Sequence, residues 1–89
     1  MTERPFDPSS EDDATRPLSD LAAGERGVIV RVEGEPAVAR RLMELGLVPG
    51  TPVTLVRRAP MGDPLECRLR DVHLSLRRAE ARGIHVVAQ

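Results

Sequence analysis

Four kinds of side chain in this 89-residue chain could do chemistry: one thiol (Cys67), two imidazoles (His73 and His85), a scatter of carboxylates, and thirteen basic residues that are all arginine. Thiol, imidazole and carboxylate together form a transition-metal ligand set, and a thiol beside an imidazole is a nucleophilic pair. Spacing argues against both. In Leu65-Glu66-Cys67-Arg68-Leu69 the strict alternation turns the thiol inward with the two leucines, whereas His73 and His85 fall at outward positions of their own strands. Side chains on opposite faces of pleated strands diverge. No CxxC or HExxH spacing gathers ligands, and outward His73 and Glu66 offer at most a weak metal contact or part of a partner surface. There is no glycine-rich phosphate loop and no nucleophile elbow, and neither histidine has a serine, cysteine or acid arranged around it. Glu25, Glu33, Glu35 and Glu44 lie in turns or on a helix face, where solvation is the default. The expectation is a protein that is not an enzyme, with no catalytic residue and no metal ligand.

Composition narrows the remaining classes. A chain this short makes one small domain that buries only about 60 to 70% of its unfolded surface, so a large enclosed active site is not expected. A single cysteine forms no internal disulfide, and no apolar run is long enough for a signal sequence or a membrane span; the reading is a soluble cytoplasmic protein without direct membrane insertion. The formal charge of −1 hides an asymmetry: residues 1–16 hold Glu3, Asp7, Glu11, Asp12 and Asp13 against Arg4 and Arg16, leaving nine acids and eleven arginines for the rest. That body is too weakly basic to imply nucleic acid by charge alone. The absence of lysine reads first as codon bias and second as a phosphate- or carboxylate-binding surface. Phe6 is the only aromatic residue, which disfavours a proline-rich peptide groove and single-stranded nucleic acid, since both need aromatic surfaces.

The elements that must position these residues follow from period and punctuation. Residues 1–16, rich in proline, serine and acids, read as a disordered acidic leader. Leu18 and Leu21 flank a short turn ending at Gly24, and the strand Gly27 to Val32 carries Val28, Val30 and Val32 on one face. Val38, Leu42 and Leu45 at i, i+4 and i+7 define the buried side of a helix, with Arg40 and Glu44 opposite. Gly46 supplies the positive φ of a Schellman stop, with Leu47 folding back onto Leu42. Val48-Pro49-Gly50-Thr51 then reads as a type II turn into a strand, Pro52 to Arg58. After Ala59-Pro60-Met61-Gly62-Asp63-Pro64, the strand from Leu65 pairs with His73 to Arg77 in a register that sets Arg70 opposite His73 and Glu66 opposite Arg77, with Asp71 leading the turn. Ala79 to Arg82 suits a helical turn, and Ile84 with Val86 a last strand. Five short strands, one helix and tight turns predict a mainly β fold, a small antiparallel barrel.

Within this frame Arg40 and Arg41 have a bland reading, a solubilised helix face, and a functional one, a charged rim beside an apolar cleft formed by Leu42, Met43 and Leu47.

The ordered set Pro17-Leu18 with Leu21 and Gly24, Arg41-Leu42-Met43-Glu44-Leu45-Gly46-Leu47-Val48-Pro49-Gly50-Thr51, Ala59 to Pro64, and Leu76 to Ala81 ending in Ile84-His85-Val86 resembles the ferrous iron transport protein A (FeoA) family over nearly all of residues 17–89. The resemblance implies an SH3-like β-barrel, of the kind also found at the C-terminus of iron-dependent repressors. It further implies a cytoplasmic accessory of the FeoB permease, with partner-binding residues Arg41, Leu42, Met43, Leu45, Leu47 and Pro49 and structural turns at Gly46, Gly50 and Gly62. Asp71 stands where the family often has a hairpin glycine. No cofactor and no nucleic acid are expected, ferrous iron at most as a weak or transient ligand. The alternative is a metal-responsive regulatory module acting with an iron-dependent repressor-type protein.

Overall fold

The computed structural model describes residues 15–89. The elements run β1 (Arg16–Pro17), a 3-10 turn (Leu18–Asp20), β2 (Arg26–Val32), α1 (Pro36–Glu44), β3 (Pro52–Arg58), β4 (Leu65–Leu69), β5 (Val72–Leu76), α2 (Arg78–Arg82) and β6 (Ile84–Ala88). All pairings are antiparallel, in the order β1-β6-β2-β3-β4-β5. The sheet is one strand longer than the pattern suggests, because a two-residue β1 pairs Arg16 with Val86 and Pro17 with His85. Arg16, which composition assigns to the leader, therefore belongs to the sheet; of the leader only Thr15 and Arg16 are among the described residues, and Met1 to Ala14 lie outside them.

Among the described residues the core holds no aromatic ring: Leu18, Leu21, Ile29, Leu42, Leu47, Val53, Leu55, Leu65, Cys67, Leu76, Ile84 and Val86 are essentially without solvent contact. Such a core relies on leucine shape and close packing. In β4 the alternation is clean, with Leu65, Cys67 and Leu69 buried. In β2 the valine face is not the buried one: Gly27 and Ile29 point inward, and Val28 and Val30 are only half-buried. A bulge between Ile29 and Arg31 shifts the register against β6, so Val32 returns to pack against the core. One extra residue reverses the facing of everything after it. A second bulge, between Leu55 and Arg57, does the same in β3. It leaves Val56 outside and swings the Arg58 guanidinium inward, where its Nη2 donates 2.6 Å hydrogen bonds to the carbonyls of Ser19 and Leu21.

The β4–β5 hairpin turns one residue earlier than the sequence suggests. Leu69 pairs with Val72 and Arg68 with His73, so Glu66 faces Ser75, not Arg77. The slip is two residues, which keeps both faces intact. Glu66 instead takes a bidentate ion pair from Arg57 across β3, at 3.0 and 3.1 Å. The turn's left-handed residue is Arg70, at φ 53°, not Asp71.

Candidate functional site

The helix exit forms as its residues dictate. Pro36 starts α1, where a missing N–H costs nothing. At the other end Leu47 N–H donates to the Leu42 carbonyl (3.1 Å) and Gly46 N–H to the Met43 carbonyl (3.0 Å), with Gly46 at φ 107°, the complete Schellman pattern. Thr51 N–H then closes on the Val48 carbonyl at 3.1 Å with Gly50 at φ 92°, the predicted type II turn. Gly50 N–H and the Thr51 carbonyl also bond the backbone of Ile29, tying the exit to β2. Gly62 sits at φ 85° in its own turn, its N–H on the Ala59 carbonyl.

This geometry sorts the predicted partner-binding residues. Leu42 (1% exposed) and Leu47 (0%) are core. They line no cleft, because the same Schellman contact that stops the helix turns Leu47 inward. Leu45, expected on the buried stripe, caps the helix with 45% of its surface in water, and Met43 is 41% exposed. Pro49 is exposed at the tip of the turn. The apolar surface beside the helix exit is thus built from Leu45, Val48, Leu69 and Val72, which with Gly46, Thr51 and Arg70 line a groove of about 320 Å³. Its charged rim is Arg70. Arg41 is engaged elsewhere, in an ion pair with Glu80 of α2. Val48 and Val72 join this surface only when the β4–β5 hairpin is folded against the helix exit, so helical periodicity alone does not find them.

A larger groove, about 540 Å³, opens at the other end of α1, between Glu33, Glu35, Val38, Ala79, Glu80, Arg82 and His85. His85 is not a freely solvated histidine: its side chain is 18% exposed and its Nε2 lies 2.9 Å from Glu33 Oε1. Hydrogen bonding from the Arg31 guanidinium, and then from His85, holds the Glu33 carboxyl below its ordinary range against the opposing effect of desolvation. Glu33 follows β2 and His85 lies on β6, so the pair is set by long-range strand pairing; the signal available in sequence was only an outward histidine. Cys67 is buried and burial pushes its thiol up to about 11. Among the described residues no group of three or more His, Cys, Asp or Glu is placed to hold a metal ion, and no helix is long and apolar enough to cross a membrane.

Residues 16–88 match the profile of the FeoA domain. The chain is 45% identical over 69 residues to an Fe(2+) transport protein A/Fe(2+) transporter FeoB fusion protein of Porphyromonas gingivalis; the match takes in 78% of this chain and 8% of that relative's length. Its fold is similar to the solution structure of a FeoA protein from Chlorobium tepidum, with a TM-score of 0.76 and 49% identity over 80% of this chain and 68% of that one. It is also similar to Stenotrophomonas maltophilia FeoA complexed with zinc, described as a procaryotic SH3 domain protein. There the TM-score is 0.69, with 36% identity over 78% of this chain and 86% of that one.

Proposed function

This chain belongs to the FeoA domain family, and on that footing we propose that it is a non-enzymatic cytoplasmic accessory of ferrous iron uptake that docks on a FeoB-type permease and modulates it. One observation carries the reading: an exposed apolar helix exit, on a domain whose relative bears the matching segment in one polypeptide with the transporter. An apolar groove with a charged rim suits a protein partner, because the centre of an interface is depleted in charge and its rim is polar. Leu45, Val48 and Val72 are the contact residues, with Met43 and Pro49 at the border and Arg70 as the rim cation. Leu42, Leu47, Gly46 and Gly50 act by holding that surface in place. Iron enters this reading as the permease's cargo.

The test is calorimetric titration of the full chain into the purified cytoplasmic portion of a FeoB permease, under anaerobic conditions, in each nucleotide state. Saturable binding that is lost in Leu45→Asp and Val48→Asp supports docking; heat signals absent in every nucleotide state sink it. Ferrous iron titrated into the chain alone addresses the regulatory alternative, which requires tight stoichiometric binding.

A further inference from the structure

Three arginines converge at a corner of the fold that plays no part in the helix exit. Arg58, at the end of β3, donates from Nη2 to the carbonyls of Ser19 and Leu21, both at 2.6 Å. Its guanidinium is thereby fixed and half-buried, against partners that are neutral dipoles. Its charge is felt in the core: burial raises the Cys67 thiol, and Arg58 partly opposes that rise. A cation drawn part of the way out of water calls for an anion. Arg78 and Arg82 of α2 stand beside it. With Pro17, Ser19 and Asp20 the three arginines line a pocket of about 400 Å³, built from β1, the 3-10 turn, the end of β3 and α2.

Arg78 and Arg82 are four residues apart, so they share one face of α2, where like charges disfavour a helix. No acid relieves them. Among the described residues the ion pairs are those of Arg16, Arg31, Arg41, Arg57 and His85, and none reaches Arg58, Arg78 or Arg82. The neighbouring carboxylates are engaged otherwise. Glu80 takes the Arg41 guanidinium and the Arg77 N–H, and Asp63 takes the backbone N–H of Arg78 at 3.0 Å, not its guanidinium. In the larger groove that Arg82 also borders, Glu33 is held by Arg31 and His85, and Glu35 is in no ion pair. Asp20 lines the pocket without pairing with any of the three arginines. The pocket therefore sets three guanidiniums against one carboxylate.

Guanidiniums offer planar forks of N–H donors that match the edges of an oxyanion, and Ser19 adds a hydroxyl that can donate or accept. An ionised carboxylate only accepts. Asp20 therefore repels a fully deprotonated oxyanion and accepts from one that keeps an O–H. Near neutral pH inorganic phosphate keeps such a proton and sulfate does not. We infer that this pocket is a site for a free hydrogenphosphate ion, with Arg58, Arg78 and Arg82 binding its charged oxygens and Asp20 accepting from its P–OH. The pocket shares no lining residue with the groove at the helix exit, so the site stands or falls independently of the permease.

The test is titration of the full nitrogen-15 chain with inorganic phosphate near neutral pH, at constant ionic strength with chloride exchanged for phosphate, read on backbone amides and arginine Nε–H signals. Saturable shifts should gather on Ser19, Asp20, Arg58, Arg78 and Arg82. Arg58→Gln also loosens the turn it anchors, so the decisive variant is Arg78→Gln/Arg82→Gln, at two exposed positions. It should keep the parent's spectrum and weaken phosphate binding by at least ~10-fold. Sulfate should bind more weakly than phosphate to the parent chain, and Asp20→Ala should erase that preference. A phosphate monoester, whose second proton is lost near pH ~6, should also bind more weakly than the free ion. The inference is overturned by shifts that stay linear in phosphate, or that spread equally over Arg26, Arg68 and Arg70. Unchanged affinity in the double variant overturns it too, as does sulfate or the monoester binding as tightly as phosphate.

Discussion

Leu45 and Leu47 are two residues apart and of one type, yet the helix exit gives them opposite fates, and replacing each in turn separates docking from folding. Leu47 has no solvent contact. Truncating a buried leucine to alanine costs about 2 to 5 kcal/mol, a large share of the roughly 5 to 15 kcal/mol available to a domain. At about 4 to 8 °C per kcal/mol for a domain this size, Leu47→Ala should lower Tm by at least ~10 °C. Leu47→Asp, which adds a buried unpaired carboxylate, should not fold. Leu45 keeps 45% of its surface in water, so its replacement forfeits about half of a leucine's ~1.5 to 3 kcal/mol of burial, about 1 kcal/mol, and Leu45→Asp should melt only about 4 to 8 °C below the parent chain. In binding the order reverses. Losing an apolar anchor of ~2 kcal/mol in Leu45→Asp weakens permease binding by more than ~10-fold, whereas Leu47→Ala, measured well below its Tm, keeps its affinity. Far-UV circular dichroism follows the melt, since the chain has no Trp or Tyr to report by fluorescence. A Leu45→Asp protein that melts as expected and binds with unchanged Kd refutes the assignment of the docking face; a Leu47→Ala protein as stable as the parent refutes the account of the core.

Further outcomes follow from other contacts. A Cβ on Gly83 would lie 2.3 Å from the Glu33 carbonyl oxygen, so Gly83→Ala must push the 33–35 loop off β6 and break the Glu33–His85 pair. Gly24 has open space around it but sits at φ +88°, so Gly24→Ala should cost only the ~1 kcal/mol of a left-handed alanine, and denaturant midpoints should rank Gly83→Ala well below it. Native Cys67 should resist thiol reagents at pH 8 and react fully in denaturant. Its folded pKa is raised, to about 11, so the neutral thiol's contribution to stability is whole below the unfolded thiol's pKa and fades as pH climbs through the folded value; in Cys67→Ala that alkaline slope disappears. On the acid side the Ala22 N–H and the Arg16 guanidinium hold Glu25 below its ordinary range despite desolvation. Its contribution is present above the unfolded carboxyl pKa and lost as pH falls through the lower folded one, so Glu25→Gln should flatten the acid limb of a Tm-versus-pH profile.

Where local chemistry decides, the sequence is a sufficient guide to this fold. Gly46, Leu47, Pro49 and Gly50 each act on backbone within a few residues, and their turn and cap form as their types require. β4 is legible because its alternation is unbroken. β2 and β3 are less so, because a bulge is a property of two strands: Val30 and Val56 are extra only relative to β6 and β4. An alternating valine pattern in one strand cannot show which face its partner will cover, and Ile29 rather than Val28 or Val30 ends up in the core. The β4–β5 hairpin fails for a related reason. Registers two residues apart preserve every facing, and both close on a two-residue turn, so patterning cannot choose between them; the chain takes the turn at Arg70-Asp71, with Arg70 left-handed.

The candidate site divides along the same line. Periodicity placed Leu45 with Val38 and Leu42 because 3.6-residue spacing assumes that the helix continues, but Leu45 is its last residue in helical conformation and the chain turns away at Gly46, at φ 107°. A residue at the C-cap is released from the buried stripe just as its neighbour two positions on is pulled in by the Schellman contact. The stop signal at Gly46 therefore exchanges the roles of Leu45 and Leu47, and the exchange creates the exposed apolar edge that Val48 and Val72 complete. Cap geometry is in this sense part of the proposed docking surface. Gly46→Ala, which penalises the positive φ and sets a Cβ 3.4 Å from Leu69, should weaken permease binding as well as stability, because a frayed exit returns Leu45 toward the helix and takes the groove's apolar edge with it.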